Sequence, residues 1–140
     1  AVDRTFIVIV GGKSLEEMQR YFLNAFGVPE TPAMESRVQT MALEFGLSRE
    51  HRFRLAALPL RGRCYIEADE MPASARPLPD RPTELASGIS MVSFCSPALA
   101  GTAARALSEP PDGGPPYGGA SAVECVRGAA GELLEIIHCP

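Results

Sequence analysis

The chain has 140 residues, of which 46% are hydrophobic and 21% charged, as in an ordinary globular domain. Thirteen basic and seventeen acidic residues give a net charge of -4, and no basic cluster predicts a nucleic-acid-binding surface. Every apolar run is shorter than the ~20 residues of a membrane span. The N-terminal stretch lacks the basic segment and cleavage site of a signal peptide, so the sequence predicts a cytoplasmic protein.

The first predicted elements are a strand and a helix. The β-branched run Arg4–Val10 is apolar on both faces, which is typical of a strand covered on both sides. Ser14 and Glu17 form a capping-box pattern that predicts a helix start. The helix is expected to end at Gly27. Its apolar stripe contains Leu15, Met18, Phe22 and Ala25 or Phe26.

Three strand-like runs follow, over Arg37–Leu47, His51–Leu60 and Arg63–Glu70. The short segment between the first two predicts a hairpin connection. In the third run, Asp69 and Glu70 are interpreted as surface charges. These elements complete a predicted first module over about residues 1–72.

A proline-rich connector is predicted over about residues 73–87, and a second module over 88–140. A strand is expected at Gly88–Cys95, and Ser96 with Pro97 favours a helix start. The loop Pro110–Gly119 precedes two strands, Ala120–Gly128 and the apolar end of the chain. The second half therefore repeats the element order of the first, and aligning the two places Glu67 over Glu135.

The four cysteines, Cys64, Cys95, Cys125 and Cys139, form no CxxC pair, and three of them lie in apolar runs. Cysteines in such positions usually behave as small buried apolar side chains. We therefore expect free buried thiols rather than a disulfide framework.

The order βαβββ, present twice, resembles the vicinal oxygen chelate superfamily of glyoxalases, bleomycin resistance proteins and extradiol dioxygenases. FIVIV with the helix SLEEMQRYF, GISMVSF, and the final GAAGELLEIIH carry the resemblance. It implies an α+β fold, in which two βαβββ modules form a curled mixed sheet around a cavity, with the helices outside.

The resemblance also implies where a divalent metal such as Fe, Mn, Ni or Zn would bind. The last-strand ligand positions match Glu67 and Glu135. The first-strand positions fall near Thr5 and near Ile89 or Ser90, where the usual His, Gln or Glu is missing. Because two carboxylates alone hold such an ion poorly, the metal site is expected to be incomplete unless a partner subunit supplies ligands.

Glu135 is the principal candidate residue, because it is a carboxylate inside an apolar strand. It could contact a ligand, a metal or water in the cavity, or be a structural carboxylate satisfied by an arginine such as Arg54 or by backbone groups. His51 and His138 are interpreted as exposed, and His138 as lying on the strand face opposite Glu135.

Three functions remain open on this evidence. A metal-free binding protein would hold an amphipathic small molecule against Thr5, Ile7, Ile9, Met91, Ser93 and Glu135. A glyoxalase- or dioxygenase-like enzyme would use Glu135, helped by Glu67, for metal binding or acid–base chemistry. A structural or partner-binding module is the third. A homodimer is expected in each case, since a two-fold partner can cover exposed sheet edges.

Overall fold

The computed structural model describes residues 6–77, 79, 88–96, 107 and 122–138. The chain divides into two compact units, one of Ala1–Leu23 with Val28–Pro77, the other of Asn24–Gly27 with Leu78–Pro140. The described part contains seven strands and two helices: β1 (Ile7–Gly12), α1 (Leu15–Phe26), β2 (Met34–Ser36), α2 (Gln39–Glu44), β3 (Phe53–Pro59), β4 (Tyr65–Glu70), β5 (Met91–Ser96), β6 (Ala122–Arg127) and β7 (Leu133–His138). The predicted α+β class is confirmed.

The first sheet is mixed and has the strand order β1-β4-β3-β2. β1 runs parallel to β4, whereas β3 is antiparallel to both β4 and β2. The register defines two faces, because side chains alternate along each strand. The Glu67 face carries Ile7, Ile9, Leu55, Ala57, Tyr65, Glu67 and Asp69, and the helix face carries Val8, Val10, Arg54, Ala56, Leu58, Ile66, Ala68 and Glu70.

Helix α1 has the start, the end and the apolar stripe that the sequence predicts. The Ser14 hydroxyl accepts a hydrogen bond from the Glu17 backbone N–H at 3.2 Å, which satisfies one of the free donors at the helix start. Gly27 has a φ of 66°, a left-handed conformation that suits glycine and ends the helix. Leu15, Met18, Phe22 and Ala25 are all buried, so the predicted stripe is the packed face.

The helix is tied to the helix face of the sheet at its first turn. Glu70 accepts a hydrogen bond from the Leu15 backbone N–H. Arg54 forms ion pairs with both Glu70 and Glu16. Since Arg54 and Glu70 lie on neighbouring strands with their side chains on the same face, these bonds fix the helix over that face.

The strand and hairpin predicted over Arg37–Leu47 are wrong, because this segment contains helix α2. Gln39, Met41, Ala42, Leu43 and Glu44 all have good helix propensity, and Ala42 is fully buried. Gly46, with a φ of 63°, follows the end of the helix. The strand that pairs with β3 is instead the short β2, before the helix.

The second sheet has the strand order β5-β7-β6, with β5 parallel and β6 antiparallel to β7. Its Glu135 face carries Met91, Ser93, Cys95, Val123, Cys125, Arg127, Leu133, Glu135 and Ile137. The sheet thus repeats the β1-β4-β3 arrangement of the first. The repeat extends to the backbone: Arg63 and Gly131, each two residues before the central strand, both have positive φ, 66° and 88°.

Two other expectations can be compared with the described residues. Cys95 is disulfide-bonded, so the prediction of free thiols is wrong there, whereas Cys64 and Cys125 form no disulfide and are half-buried rather than buried. The helix expected after Ser96 and the loop Pro110–Gly119 lie outside the described residues. No helix in the described part of the chain is long and apolar enough to cross a membrane.

Candidate functional site

Glu67 and Glu135 occupy the same place in the two sheets. Each is the third residue of a six-residue central strand. Glu67 is paired in register with Ile9 and Ala57, and Glu135 with Ser93 and Cys125. The alignment of the two sequence halves therefore matches the register of the two sheets.

Glu135 is a buried carboxylate with a hydroxyl donor beside it. Only 8% of the residue is exposed. The Ser93 hydroxyl donates a hydrogen bond to Glu135 Oε2 at 2.5 Å from the neighbouring parallel strand. This short, charge-assisted bond partly replaces the water that the carboxylate loses on burial.

Glu135 and Arg54, the arginine considered as its partner, belong to different units of the chain. Arg54 instead lies in the first unit, where its guanidinium bonds Glu70 at 2.9 Å and also Glu16. The hydrogen bond from Arg54 is the main cause that lowers the pKa of the exposed Glu16 carboxyl. Glu70 is therefore a half-buried structural group, which corrects its interpretation as a surface charge.

Among the described residues, the parallel-strand neighbours of the two glutamates are Ile9 and Ser93. Thr5 lies outside the described residues. Ile89 and Ser90 precede β5, and the register brings Ser93, three residues after Ser90, next to Glu135. The equivalent neighbour of Glu67 is Ile9, which has no ligand atom in its side chain.

Within the described residues, the side chains around the two glutamates do not fit the metal that the fold family implies. Among the described residues, no group of three or more His, Cys, Asp or Glu side chains is placed to hold a metal ion. The first sheet offers the carboxylates of Glu67 and Asp69, and the second offers Glu135 with the Ser93 hydroxyl. Each set falls short of the several hard ligands that a divalent ion requires.

The ligand-contacting positions predicted in the strands lie on the two glutamate faces. Ile7 and Ile9 share the Glu67 face, and Met91 and Ser93 share the Glu135 face. Ile9 and Met91 are 60% and 41% exposed. Each sheet therefore presents an accessible apolar side chain near a carboxylate.

Asp69 was missed as a candidate, since it is buried rather than a surface charge. It is 3% exposed, and its Oδ1 has no hydrogen-bond partner. Burial raises the pKa of its carboxyl from 3.8 to about 6, and the negative charge of Glu67 adds to this effect. A buried carboxylate that the protein leaves unpaired marks a candidate functional position. The same-face spacing of Glu67 and Asp69 was the only sequence signal.

The turn before β7 explains the glycines of the final motif. Glu132 folds back over Gly128, so a Cβ at Gly128 would collide with the Glu132 carboxylate. The carboxylate accepts a hydrogen bond from the Ala130 backbone N–H at 2.9 Å. Burial nevertheless raises the pKa of the Glu132 carboxyl. This carboxylate therefore closes the turn that leads into the strand of Glu135.

His138 lies on the face opposite Glu135, whereas His51 contacts the edge of the Glu67 face through Phe53. His138 pairs in register with Ser96 and Ala122, on the face opposite Glu135 as predicted, but it is half-buried rather than exposed. His51 is exposed and contacts Phe53 edge-on, with ring centroids 4.7 Å apart. His51 and Phe53 border an open groove of about 710 Å³ in the first unit. The charged residues that line this groove are Lys13, Glu35, Arg52, Arg54 and Glu70.

Comparison with known proteins identifies the fold. No family model and no curated protein sequence matches the chain. Solved structures do match, among them a glyoxylase/bleomycin resistance protein/dioxygenase domain from Frankia sp. EAN1pec, with a TM-score of 0.64 and 15% identity over 100% of both chains. A glyoxalase family protein from Bacillus cereus has a TM-score of 0.64 and 16% identity, over 98% of this chain and 94% of its own.

A third similar structure is a variant of the fosfomycin resistance protein FosX from Listeria monocytogenes, complexed with Mn(II) and 1S,2S-dihydroxypropylphosphonic acid. It has a TM-score of 0.57 and 11% identity, over 100% of this chain and 95% of its own. The predicted resemblance to the vicinal oxygen chelate superfamily is therefore confirmed at the level of the fold. At these identities the likeness does not extend to an activity.

Proposed function

We propose that the protein binds a small molecule on the Glu135 face of its second sheet and needs no metal to do so. The observation that carries the proposal is the Ser93–Glu135 hydrogen bond. A serine hydroxyl, and not a His, Gln or Glu side chain, lies beside the glutamate on the neighbouring parallel strand. This hydrogen bond orients the Glu135 carboxylate, so that it can accept a hydrogen bond from a ligand without a metal ion.

The chemistry of this face favours an amphipathic ligand that carries a hydrogen-bond donor. Glu135 offers acceptor positions, and the Ser93 hydroxyl can both donate and accept. Met91 is exposed, and Leu133 and Ile137 are half-buried apolar neighbours on the same face. Small-molecule sites commonly combine such apolar walls with a few fixed polar groups.

The alternative is a lyase or dioxygenase whose metal ligands are completed by a partner subunit. Glu135 would then be a metal ligand or an acid–base group, and Glu67 a second ligand. No described contact favours this alternative. A structural or partner-binding role likewise has no contact in its favour.

Thermal shift with a panel of aromatic and amphipathic compounds, in the presence of a chelator, tests the proposal. A bound ligand raises the melting temperature by mass action. We expect shifts that the chelator leaves unchanged and that decrease in Glu135→Gln and Ser93→Ala. Glu44→Gln, at an exposed position of α2, is the matched control and should keep the full shift. Shifts that require added metal, or that survive in Glu135→Gln, would contradict the proposal.

A homodimer is proposed as the assembly. Leu43 and Met34 are large exposed apolar residues in the first unit, and Ile89 is one in the second. A two-fold partner would remove such surface from water. Sedimentation at micromolar concentration tests this proposal, and a monomer would contradict it.

The cytoplasmic location also remains a proposal. The Cys95 disulfide is an observation against it, because reducing compartments disfavour disulfide bonds. Cell fractionation tests the location directly.

A further inference from the structure

The Glu67 face of the first sheet carries a pair of carboxylates without a basic partner. Glu67 and Asp69 are two residues apart on β4, so their side chains leave the sheet on the same side. Among the described strand residues of this face there is no Lys, Arg or His. The strands of this face therefore contribute two carboxylates and no basic group, and His51 contacts the face only at Phe53.

Asp69 lacks the internal partner that a buried carboxylate needs. Its Oδ1 is buried without a hydrogen bond. The nearest arginine in register, Arg54, lies on the helix face and is engaged by Glu16 and Glu70. Because an unpaired buried carboxylate costs several kcal/mol, the structure keeps an acceptor that it does not itself satisfy. A donor from outside the chain would recover this free energy.

The surroundings of the two carboxylates define what kind of donor fits. Ile9, the cross-strand neighbour of Glu67, is 60% exposed, and Tyr65, at the start of the same strand, is 40% exposed. An accessible aliphatic side chain and an aromatic ring thus lie beside the acidic pair. Aromatic rings and carboxylates are the groups that bind organic cations.

The Met71 side chain lies beside Asp69, against the neighbouring strand β1. Gly11 is paired in register with Asp69, and a Cβ at Gly11 would collide with the Met71 methyl group. The Met71 side chain therefore covers the backbone immediately beside Asp69. Methionine is unbranched and has three rotatable bonds, so a ligand can displace it at little cost.

We propose that the Glu67 face is a binding site for an organic cation, whose ammonium group is held by Asp69 and Glu67 and whose apolar body lies on Ile9 and Tyr65. The site does not depend on the Ser93–Glu135 pair. Met71 covers it in the free protein and withdraws when the ammonium group enters. The ligand class is a primary amine with an aromatic or aliphatic body.

The experiment uses 2-phenylethylamine as the probe and 2-phenylethanol as its uncharged control, near neutral pH. Calorimetry gives the affinities, and amide chemical-shift changes locate the site. We expect saturable amine binding, with shifts over residues 65–71, and much weaker binding of the alcohol. Asp69→Asn should weaken amine binding by about tenfold or more, as for other hydrogen bonds to charged groups.

Three further variants make the result specific. Glu67→Gln should weaken binding less than Asp69→Asn, since Glu67 is half-buried and keeps more of its water. Met71→Ala should retain or strengthen binding. Glu135→Gln should leave the amine affinity unchanged, and this separates the site from the one proposed on the second sheet. Thermal melts confirm that each variant is folded.

The proposal is overturned if the amine shows no saturable binding at millimolar concentration, or if the alcohol binds equally well. It is also overturned if folded Asp69→Asn keeps the wild-type affinity, because the buried carboxylate would then have no part in binding. An equal loss in Glu135→Gln would place the amine on the second sheet instead.

Discussion

The two central strands carry a glutamate at the same position, but the side chains around these glutamates differ. In β7, Glu135 is buried and accepts a hydrogen bond from Ser93. In the first sheet, the residue equivalent to Ser93 is Ile9 of β1, and Glu67 of β4 is half-buried. Asp69 then follows two residues later on the same face, where β7 has Ile137.

This difference shows that the repeat preserves backbone geometry and not chemistry. Positive φ before the central strand and the parallel first-strand partner are common to both sheets. One sheet satisfies its buried carboxylate with an internal hydroxyl, whereas the other leaves Asp69 Oδ1 without a partner. The two faces are therefore expected to respond differently to pH and to substitution.

The largest expected effect is at Asp69. Its carboxyl has a pKa of about 6 in the folded chain and near 3.8 when exposed in the unfolded chain. The folded state thus holds the proton more tightly, so the contribution of Asp69 to stability is greatest below about pH 4 and is lost as pH rises through about 6. Asp69→Asn, which cannot ionise, should raise the free energy of unfolding near neutral pH by about 1–3 kcal/mol.

Urea denaturation of wild type and Asp69→Asn across this pH range measures the effect. The stability difference should shrink as pH falls and be smallest below about pH 4, where the wild-type carboxyl is protonated in both states. A difference that does not change with pH, or a less stable variant near neutral pH, would contradict this account of Asp69.

The next effect is at Ser93. Ser93→Ala removes the hydroxyl donor and leaves Glu135 buried with less compensation, so we expect a loss of about 1–2 kcal/mol in the free energy of unfolding. The matched variant, Ile9→Ser, introduces a hydroxyl at the equivalent position beside Glu67. Since Ile9 is mostly exposed, its replacement should change stability by less than about 0.5 kcal/mol. Equal losses in the two variants would show that the sheets do not differ in this way.

The smallest effects are expected in the turns that precede the central strands. Gly131→Ala puts a Cβ on a residue with a φ of 88°, which should cost about 1 kcal/mol. Arg63 already carries a side chain at the equivalent place with a φ of 66°. Arg63→Gly should therefore relieve strain and raise the free energy of unfolding. The expected net gain is about 0.5 kcal/mol, because the greater freedom of glycine in the unfolded chain offsets part of the relief. Thermal denaturation of the two variants should give shifts of opposite sign, and a stabilised Gly131→Ala would refute the comparison.

Much of the fold could be predicted because its signals are local. The β-branched run before Gly11 and the Ser14–Glu17 capping box identified β1 and α1 directly. The apolar strand with a central glutamate identified β7. Helix α2 was missed because a short apolar run is compatible with either a helix or a strand, and its one buried residue, Ala42, becomes evident only through packing.

The carboxylates were harder to predict, because their environment comes from distant residues. Glu70 reads as a surface charge in YIEADE, yet its partners are Arg54, sixteen residues earlier, and the first turn of α1. Asp69 reads as polar too, and its burial depends on the neighbouring strands. The pairing of Glu135 with Ser93 spans 42 positions, which strand register can explain and residue spacing cannot.

The central claim is that the two glutamates serve an organic ligand rather than a metal ion. Its most direct test is the metal content of protein purified without chelator, followed by thermal shift with Mn, Fe(II), Ni and Zn. We predict no stoichiometric ion and no rise in melting temperature. One ion per chain, with a rise in melting temperature that Glu135→Ala abolishes, would contradict the claim, because a metal bound to the native state stabilises it by mass action.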